Sequence, residues 1–246
     1  MTLNIVSPAS CASTSAVLAG MTDAPEGTVV VTDCQTAGRG QRGNTWEAEP
    51  GKNLTFSILL RPCRFHAARQ FELSMLVALA VADAIDSRFI AAGVPERTSV
   101  KWPNDIYVGD RKICGTLIEN KLDGCNIERA IAGIGIDVNQ LVFISDAPNP
   151  VSMIHILGFE TPLRPLLTEV CEEIMDTWAR YLAQPDAEGL LQRFRARMYR
   201  ADGAEYLFCE PGGEPFAASI TDVALTGHLS LSNGRTYAFK EIAYII

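Results

Sequence analysis

The sequence predicts an α+β protein, a mixed sheet packed with helices and followed by a small C-terminal β unit. Three observations predict it. Apolar or alternating runs bounded by Gly, Pro and polar residues recur between residues 28 and 138, as strands do. Residues 67–91 contain neither Gly nor Pro and carry apolar side chains on nearly every face, which describes one long, mostly buried helix. After Met198 the texture changes to brief strands separated by turn-forming residues.

In chain order, residues 28–34 read as a buried strand, and residues 53–61 alternate and then run apolar, again a strand. The 67–91 helix ends at Gly93 and Pro95. Short strands follow near 98–102, 104–108, 111–119 and 129–138. Residues 163–182 place Leu163, Leu166, Leu167, Val170, Ile174, Trp178 and Tyr181 on one helical stripe, and a further helix covers 187–199. Strands at 204–210, 216–223, 227–232 and 235–246 are joined by Pro211-Gly212-Gly213, Thr226-Gly227 and Asn233-Gly234. The division expected is a domain at 1–198 and a small β-barrel at 199–246, too short to fold alone and so packed on the larger part.

Composition narrows the class. Of 246 residues, 48% are apolar and 20% charged, an ordinary globular balance. A formal charge of −8 argues against a duplex nucleic acid partner, which needs a basic face. No apolar run is long enough to span a bilayer. The seven cysteines are odd in number, scattered and without a C-x-x-C pair. Cys34, Cys63 and Cys114 lie in or beside apolar runs, which favours small hydrophobes in a reducing, cytoplasmic setting. His66, His155 and His228 lack ligand spacing and read as surface or capping residues.

Chemistry concentrates in three segments. Gly38-Arg39-Gly40-Gln41-Arg42-Gly43 fits G-x-G-x-x-G literally, but no helix can follow through Asn44-Thr45-Trp46 to Pro50-Gly51, and Arg61-Pro62 stand where a dinucleotide fold needs an acid. The segment is instead a glycine-rich connection, whether a plain surface loop or a lid that orders on ligand. Arg39 and Arg42 suit phosphate or carboxylate, and Trp46 offers a face to a purine. In Lys101-Trp102-Pro103-Asn104-Asp105, the Asn-Asp pair is equally an Asx turn or a functional pair, and Asp105 can hold magnesium on phosphates. Lys112, beside Gly115, either snorkels at a strand end or points into a pocket where Gly115 lets a ligand come close. Gly133 and Gly135 mark close backbone approach in a core strand. Together these residue types suggest the handling of a carboxylate and a nucleotide phosphate.

In order, Ser13-Thr14, Gln35-Thr36-Ala37-Gly38-Arg39-Gly40, Trp46, Gly51-x-Asn53-Leu54, Lys101-Trp102-Pro103-Asn104-Asp105, Arg111-Lys112-x-x-Gly115 and Gly133-Ile134-Gly135-Ile136-x-Val138-Asn139 resemble the catalytic domain of the biotin–protein ligases, or holocarboxylase synthetases. The resemblance implies a class II synthetase-like domain with a C-terminal SH3-like barrel, the latter matched here only in size and texture. It implies biotin, ATP and Mg2+ as reactants and a biotin carboxyl carrier domain of a carboxylase as partner. The reaction implied runs through biotinyl-5′-AMP, with loss of pyrophosphate and then AMP. Lys112 and Arg39 are the catalytic candidates. Ser13, Thr14, Gln35, Gly38, Arg39, Lys112 and Gly115 are expected at biotin, and Gln41, Arg42, Trp46, Lys101, Asn104 and Asp105 at ATP, with Asp105 the metal ligand. Two departures stand out: Ser15 where the family has Asn, and Gln41 where it has Arg. The chain starts about where the catalytic domain does, so a winged-helix repressor module is expected to be missing. Oligomeric state, including a homodimer, stays open. A lipoate–protein ligase and a non-enzymatic biotin sensor are the competing readings.

Overall fold

The computed structural model describes residues 3–38, 40, 46–145 and 149–246. Its first part carries β1 (Asn4–Val6), β2 (Ser10–Cys11), α1 (Thr14–Gly20), β3 (Thr28–Thr32), β4 (Cys34–Gln35), β5 (Leu54–Leu60), β6 (Phe65–His66) and α2 (Gln70–Ala91). The middle adds β7 (Thr98–Lys101), β8 (Asp105–Val108), β9 (Arg111–Asp123), β10 (Asn126–Ile136), α3 (Met153–Leu157), α4 (Leu163–Ala183) and α5 (Ala187–Ala196). Six short strands close the chain: β11 (Tyr206–Cys209), β12 (Phe216–Ala218), β13 (Ile220–Val223), β14 (Leu229–Leu231), β15 (Thr236–Tyr237) and β16 (Ala243–Tyr244).

The main sheet runs β1-β3-β5-β10-β9-β8-β7, with β6 also paired to β10. Among the described residues of this sheet only β1 and β3 pair in parallel; the other neighbours are antiparallel, so the sheet is mixed. Every residue of β5 is buried, because both faces of the sheet are covered there. On one face α1 seats Leu18 against Val30, Leu59 and Ile131. On the other lies α2, itself overlaid by α4 and α5. That position between layers explains why α2 is apolar all round. Its two buried acids are paired: Glu72 with Arg69 and Tyr181, and Asp86 with Arg197 and the Thr98 amide. Gly93, at φ +72°, ends α2 with amide bonds from Gly93 to Ile90 and from Val94 to Phe89.

The predicted stripe of α4 faces inward, with all but the half-buried Leu163 fully buried. Differences from expectation are local. The strand expected at 28–34 breaks at Asp33, and Cys34–Gln35 instead pairs with Ser10–Cys11. The expected 111–119 strand continues to Asp123, where Gly124 (φ +57°) turns it into β10. The short helices α1 and α3 were not expected; each spans two turns or fewer, too few for a period to show. Cys114 and Cys171 are buried, but Cys63 is exposed in the β5–β6 loop, contrary to its expected role as a small hydrophobe.

The C-terminal strands form two three-stranded antiparallel sheets, β12-β11-β16 and β13-β14-β15. Pairing that would close them into the expected barrel is not found among the described residues. They share one apolar core with the rest of the chain, from Phe208 and Val223 to Leu229 and Tyr237. Trp102 Nε1 donates to Gly227 O at 2.9 Å across this contact. Arg195 ties α5 to Asp222 at 2.7 Å.

Candidate ligand-binding and active site

A cavity of about 760 Å³ opens over the β8–β10 part of the sheet and is walled on one side by the C-terminal strands. At one end lie Ser13, Thr14, Ser15 and Gln35. Ser13 caps α1, its Oγ accepting from the Ala16 amide. Gln35 Oε1 accepts from Thr14 N at 2.9 Å and from Thr14 Oγ1 at 3.3 Å. Behind them the buried Ser57 Oγ lies 2.8 Å from Thr14 Oγ1 and 2.9 Å from Ser15 Oγ. Two glycines make this packing feasible. A Cβ on Gly133 would come 2.7 Å from Ser15 Oγ, and one on Gly38 would come 2.9 Å from Gln35 Nε2.

Lys112 stands on β9, and its Nζ donates to Asp105 Oδ2 of β8 at 2.7 Å. A register shift between Ile106 and Tyr107 adjusts the β8–β9 pairing beside this ion pair. Residues 149–151 bind both sides of the Lys112 backbone: its amide donates to Asn149 O, and its carbonyl accepts from Val151 N. The Trp46 indole lies over Gly115 and Gly135, with Lys112 Nζ 5.8 Å from the ring centroid. A Cβ on Gly135 would sit 2.5 Å from Trp46 Nε1 and 2.7 Å from Cζ2, and one on Gly115 would sit 2.9 Å from Cζ3. The close approach expected at Gly135 is therefore real, and the group approaching is Trp46; at Gly115, where a ligand was expected, the same indole stands instead. Its Nε1 has no hydrogen-bond partner among the described residues.

Asp137, at the end of β10, lines the same cavity and is only 3% exposed. Burial pushes its carboxyl well above the usual range, Lys112 pulls it partly back, and Glu47 adds to the rise. Asp137 Oδ1 finds no partner among the described residues. Glu47 fastens two segments of the rim: its carboxylate accepts from Gln140 Nε2, Ile144 N and Ser145 N at 2.9–3.0 Å. Although desolvation works the other way, these bonds hold the Glu47 carboxyl below its ordinary value.

At a further wall, Lys101 Nζ lies 5.1 Å from the ring centroids of both Tyr107 and Tyr244. Phe239, Ile242 and Ala243 join Tyr244 there, so the last strand contributes to the cavity. Pro103 follows a cis bond from Trp102. Asn104 is buried at 5% and stands behind the cavity lining. The structure thus gathers Ser13, Thr14, Gln35, Trp46, Lys101, Asp105, Lys112 and Gly115 around one space, with Gly38 packed against Gln35. Arg39, Gln41 and Arg42, and with them most of the expected lid, lie outside the described residues. No helix among the described residues is long and apolar enough to cross a membrane. His155 is a cap, its Nδ1 accepting from Ser152 N at 3.1 Å, as its spacing suggested.

Sequence reasoning missed Ser57, Asp137, Glu47 and Tyr244. Only Asp137 carried a signal: an acid inside an otherwise apolar strand run is costly unless something uses it.

A profile of the Biotin/lipoate A/B protein ligase family matches residues 9–137, more than half of the chain. The chain belongs to that family. It is 32% identical over 171 residues to the biotin--[acetyl-CoA-carboxylase] ligase of Paracoccus denitrificans, covering 68% of each chain. It is 41% identical over 118 residues to the bifunctional ligase/repressor BirA of Bacillus spizizenii, covering 48% of this chain and 34% of that protein. The chain therefore spans about a third of the length of that relative. In fold it is similar to the biotin protein ligase of Aquifex aeolicus in complex with biotin and ATP, with a TM-score of 0.79, 24% identity, and 98% and 97% of the two chains covered. Membership accounts for the order of the motif segments and for the mixed sheet that carries them.

Proposed function

We propose that this protein attaches biotin to one lysine of a biotin carboxyl carrier domain, through biotinyl-5′-AMP. The observation that carries the reading is the cavity itself. It joins a hydroxyl–amide cluster suited to a ureido ring, a lysine able to receive a carboxylate, and a second lysine clasped by two tyrosine rings. The names of the Paracoccus and Aquifex relatives support it.

In the first step a biotin carboxylate oxygen attacks the α-phosphorus of ATP, and pyrophosphate leaves. Two anions must meet, so positive charge at the point of attack lowers the barrier. Lys112 fills that role by exchanging Asp105 for the incoming carboxylate and then holding the adenylate. Arg39, Gln41 and Arg42 are assigned to carboxylate and phosphate contacts from the loop, with Arg39 nearer biotin. Lys101, on the cavity wall, serves the phosphates, whereas Asn104 is buried behind that wall. Asp105, once released by Lys112, has the hard oxygen donors for the magnesium that accompanies ATP, whose chemistry is to neutralise phosphate charge. Trp46 covers the nucleotide or the closing loop. In the second step the carrier lysine's neutral amine attacks the acyl carbon of the mixed anhydride, AMP leaves with the bonding pair, and the amine proton goes to solvent.

We assign residues 1–198 to the biotin and ATP unit and 199–246 to a small C-terminal unit that completes the cavity wall. A cytoplasmic setting fits reduced Cys114 and Cys171, both buried. The test is mass spectrometry of a carrier domain incubated with this protein, MgATP and either biotin or lipoate. A single biotinyl mass shift is expected. A lipoyl shift would move the activity to the lipoate branch. No shift and no pyrophosphate release with either acid would refute the ligase reading in favour of a sensor.

A further inference from the structure

We infer that Ser57, which lies behind the cavity wall, is a positioning residue that sets the hydrogen-bond polarity of the biotin-ring end, with Ser15 as the acceptor it creates. The inference rests on the proposed biotin reading and deepens it. Ser57 is fully buried, and its Oγ touches both Thr14 Oγ1 at 2.8 Å and Ser15 Oγ at 2.9 Å.

The polarity follows from proton accounting. Gln35 Oε1 can only accept, and it takes both the Thr14 amide proton and the Thr14 hydroxyl proton. With its one proton given to Gln35, the Thr14 hydroxyl can only accept from Ser57. Ser57 therefore donates to Thr14 and accepts from Ser15, whose own proton is spent in turn. The relay runs Ser15 → Ser57 → Thr14 → Gln35. It leaves Ser15 Oγ with lone pairs alone on the cavity wall. It also turns the Gln35 oxygen toward Thr14 and its NH2 group away, into the space that Gly38 leaves open. Ser13 Oγ accepts from Ala16 N and keeps its proton to donate.

The wall thus offers donors at Gln35 Nε2 and Ser13 and an acceptor at Ser15. A cyclic urea is the complement, since its carbonyl accepts and its ring N–H groups donate. A linear or dithiolane acid has no such set, and facing it would leave these groups unpaired, which costs affinity. The relay also gives Ser15 a function of its own where the family carries Asn. The space it needs exists because Gly133 has no Cβ, which would lie 2.7 Å from Ser15 Oγ.

The experiment is steady-state pyrophosphate release by the full chain with biotin and MgATP, comparing wild type, Ser57→Ala, Ser15→Ala and the double variant. Ser57→Ala leaves the cavity surface unchanged, so a purely structural role would leave KM for biotin unaltered. Expected is a rise of about tenfold in KM for biotin, equivalent to about 1.4 kcal/mol, with kcat and KM for ATP within about twofold. Ser15→Ala should match it, and the double variant should be far less than multiplicative, because one relay has been cut twice. If Ser57→Ala does not fold, Ser15→Ala alone must still raise KM for biotin with KM for ATP unchanged. An unchanged KM for biotin in either folded variant, a parallel rise in KM for ATP, or multiplicative effects would overturn the relay. A wild type that releases no pyrophosphate with biotin would instead overturn the biotin reading beneath it.

Discussion

Replacing Lys112 by alanine separates stability from catalysis. The ammonium sits 2.7 Å from the Asp105 carboxylate, and the two side chains keep 27% and 22% of their exposure. Bare attraction at that distance is about 6 kcal/mol with an effective dielectric near 20. Desolvation and solvent screening return most of it, so the pair contributes about 1 kcal/mol to folding. Asp105 can turn to water when unpaired. Asp137 loses the cation that pulls its carboxyl down and so keeps its proton to higher pH. Lys112→Ala should therefore fold, with a melting temperature lowered by a few degrees. On the proposed adenylation step its effect is larger. Charge that neutralises two meeting anions acts mostly in the transition state, and its loss costs about 3 kcal/mol, a rate reduction of roughly a hundredfold. The assay is pyrophosphate release at saturating biotin and MgATP, with circular dichroism as the control for folding. Near-normal release from a well-folded Lys112→Ala would remove Lys112 from the mechanism and leave its ion pair as a structural feature.

Two other predictions follow from the same site. Gly135→Ala drives a methyl into the Trp46 indole, where the nearest ring atoms leave 2.7 Å or less; the rigid ring must lift off its floor at a cost of about 1–3 kcal/mol. Thermal denaturation should record the loss and tryptophan emission should shift red, whereas an unchanged melt with unchanged emission would show that the indole does not rest there. For Asp137, burial keeps the folded carboxyl protonated at pH values where the unfolded chain has already released that proton. Its contribution is thus complete at low pH and is lost as pH rises from the ordinary carboxylate range through the raised folded value. Asp137→Asn should gain stability over the parent at pH 8 and lose that gain near about pH 3.5; an offset equal at both pH values would contradict the assignment.

How much of this was legible in the chain depended on the distance over which each feature is encoded. The α4 stripe from Leu166 to Tyr181 could be read because an amphipathic period repeats over many turns. The burial of α2 could be read because no polar face interrupts it. α1 could not, since its seven residues cover less than two turns, too few for a period to repeat, and Ser13 reads equally well as a turn residue. In the site, Lys112, Gly115, Asp105 and the Ser13–Thr14 and Gln35 segments were visible as motifs, because each is a short run whose residue types already state a chemistry.

By itself, then, the sequence determined the sheet-and-helix class, the acidic character, the family, and the short segments that carry charge or polar contacts. Tertiary structure decided which of them meet. Register sets Gly135 opposite Gly115, and the Trp46 indole rests over that pair of glycines. Packing of α1 on β5 carries Thr14 and Ser15 to Ser57, more than forty positions away. Folding back of the last strand lays Tyr244 beside Lys101. The physical reason is range. Propensity, periodicity and turn chemistry act over a few residues. Hydrogen-bond partners, the desolvation of Asp137 and the shape of the cavity are properties of surfaces that touch only once the chain has folded.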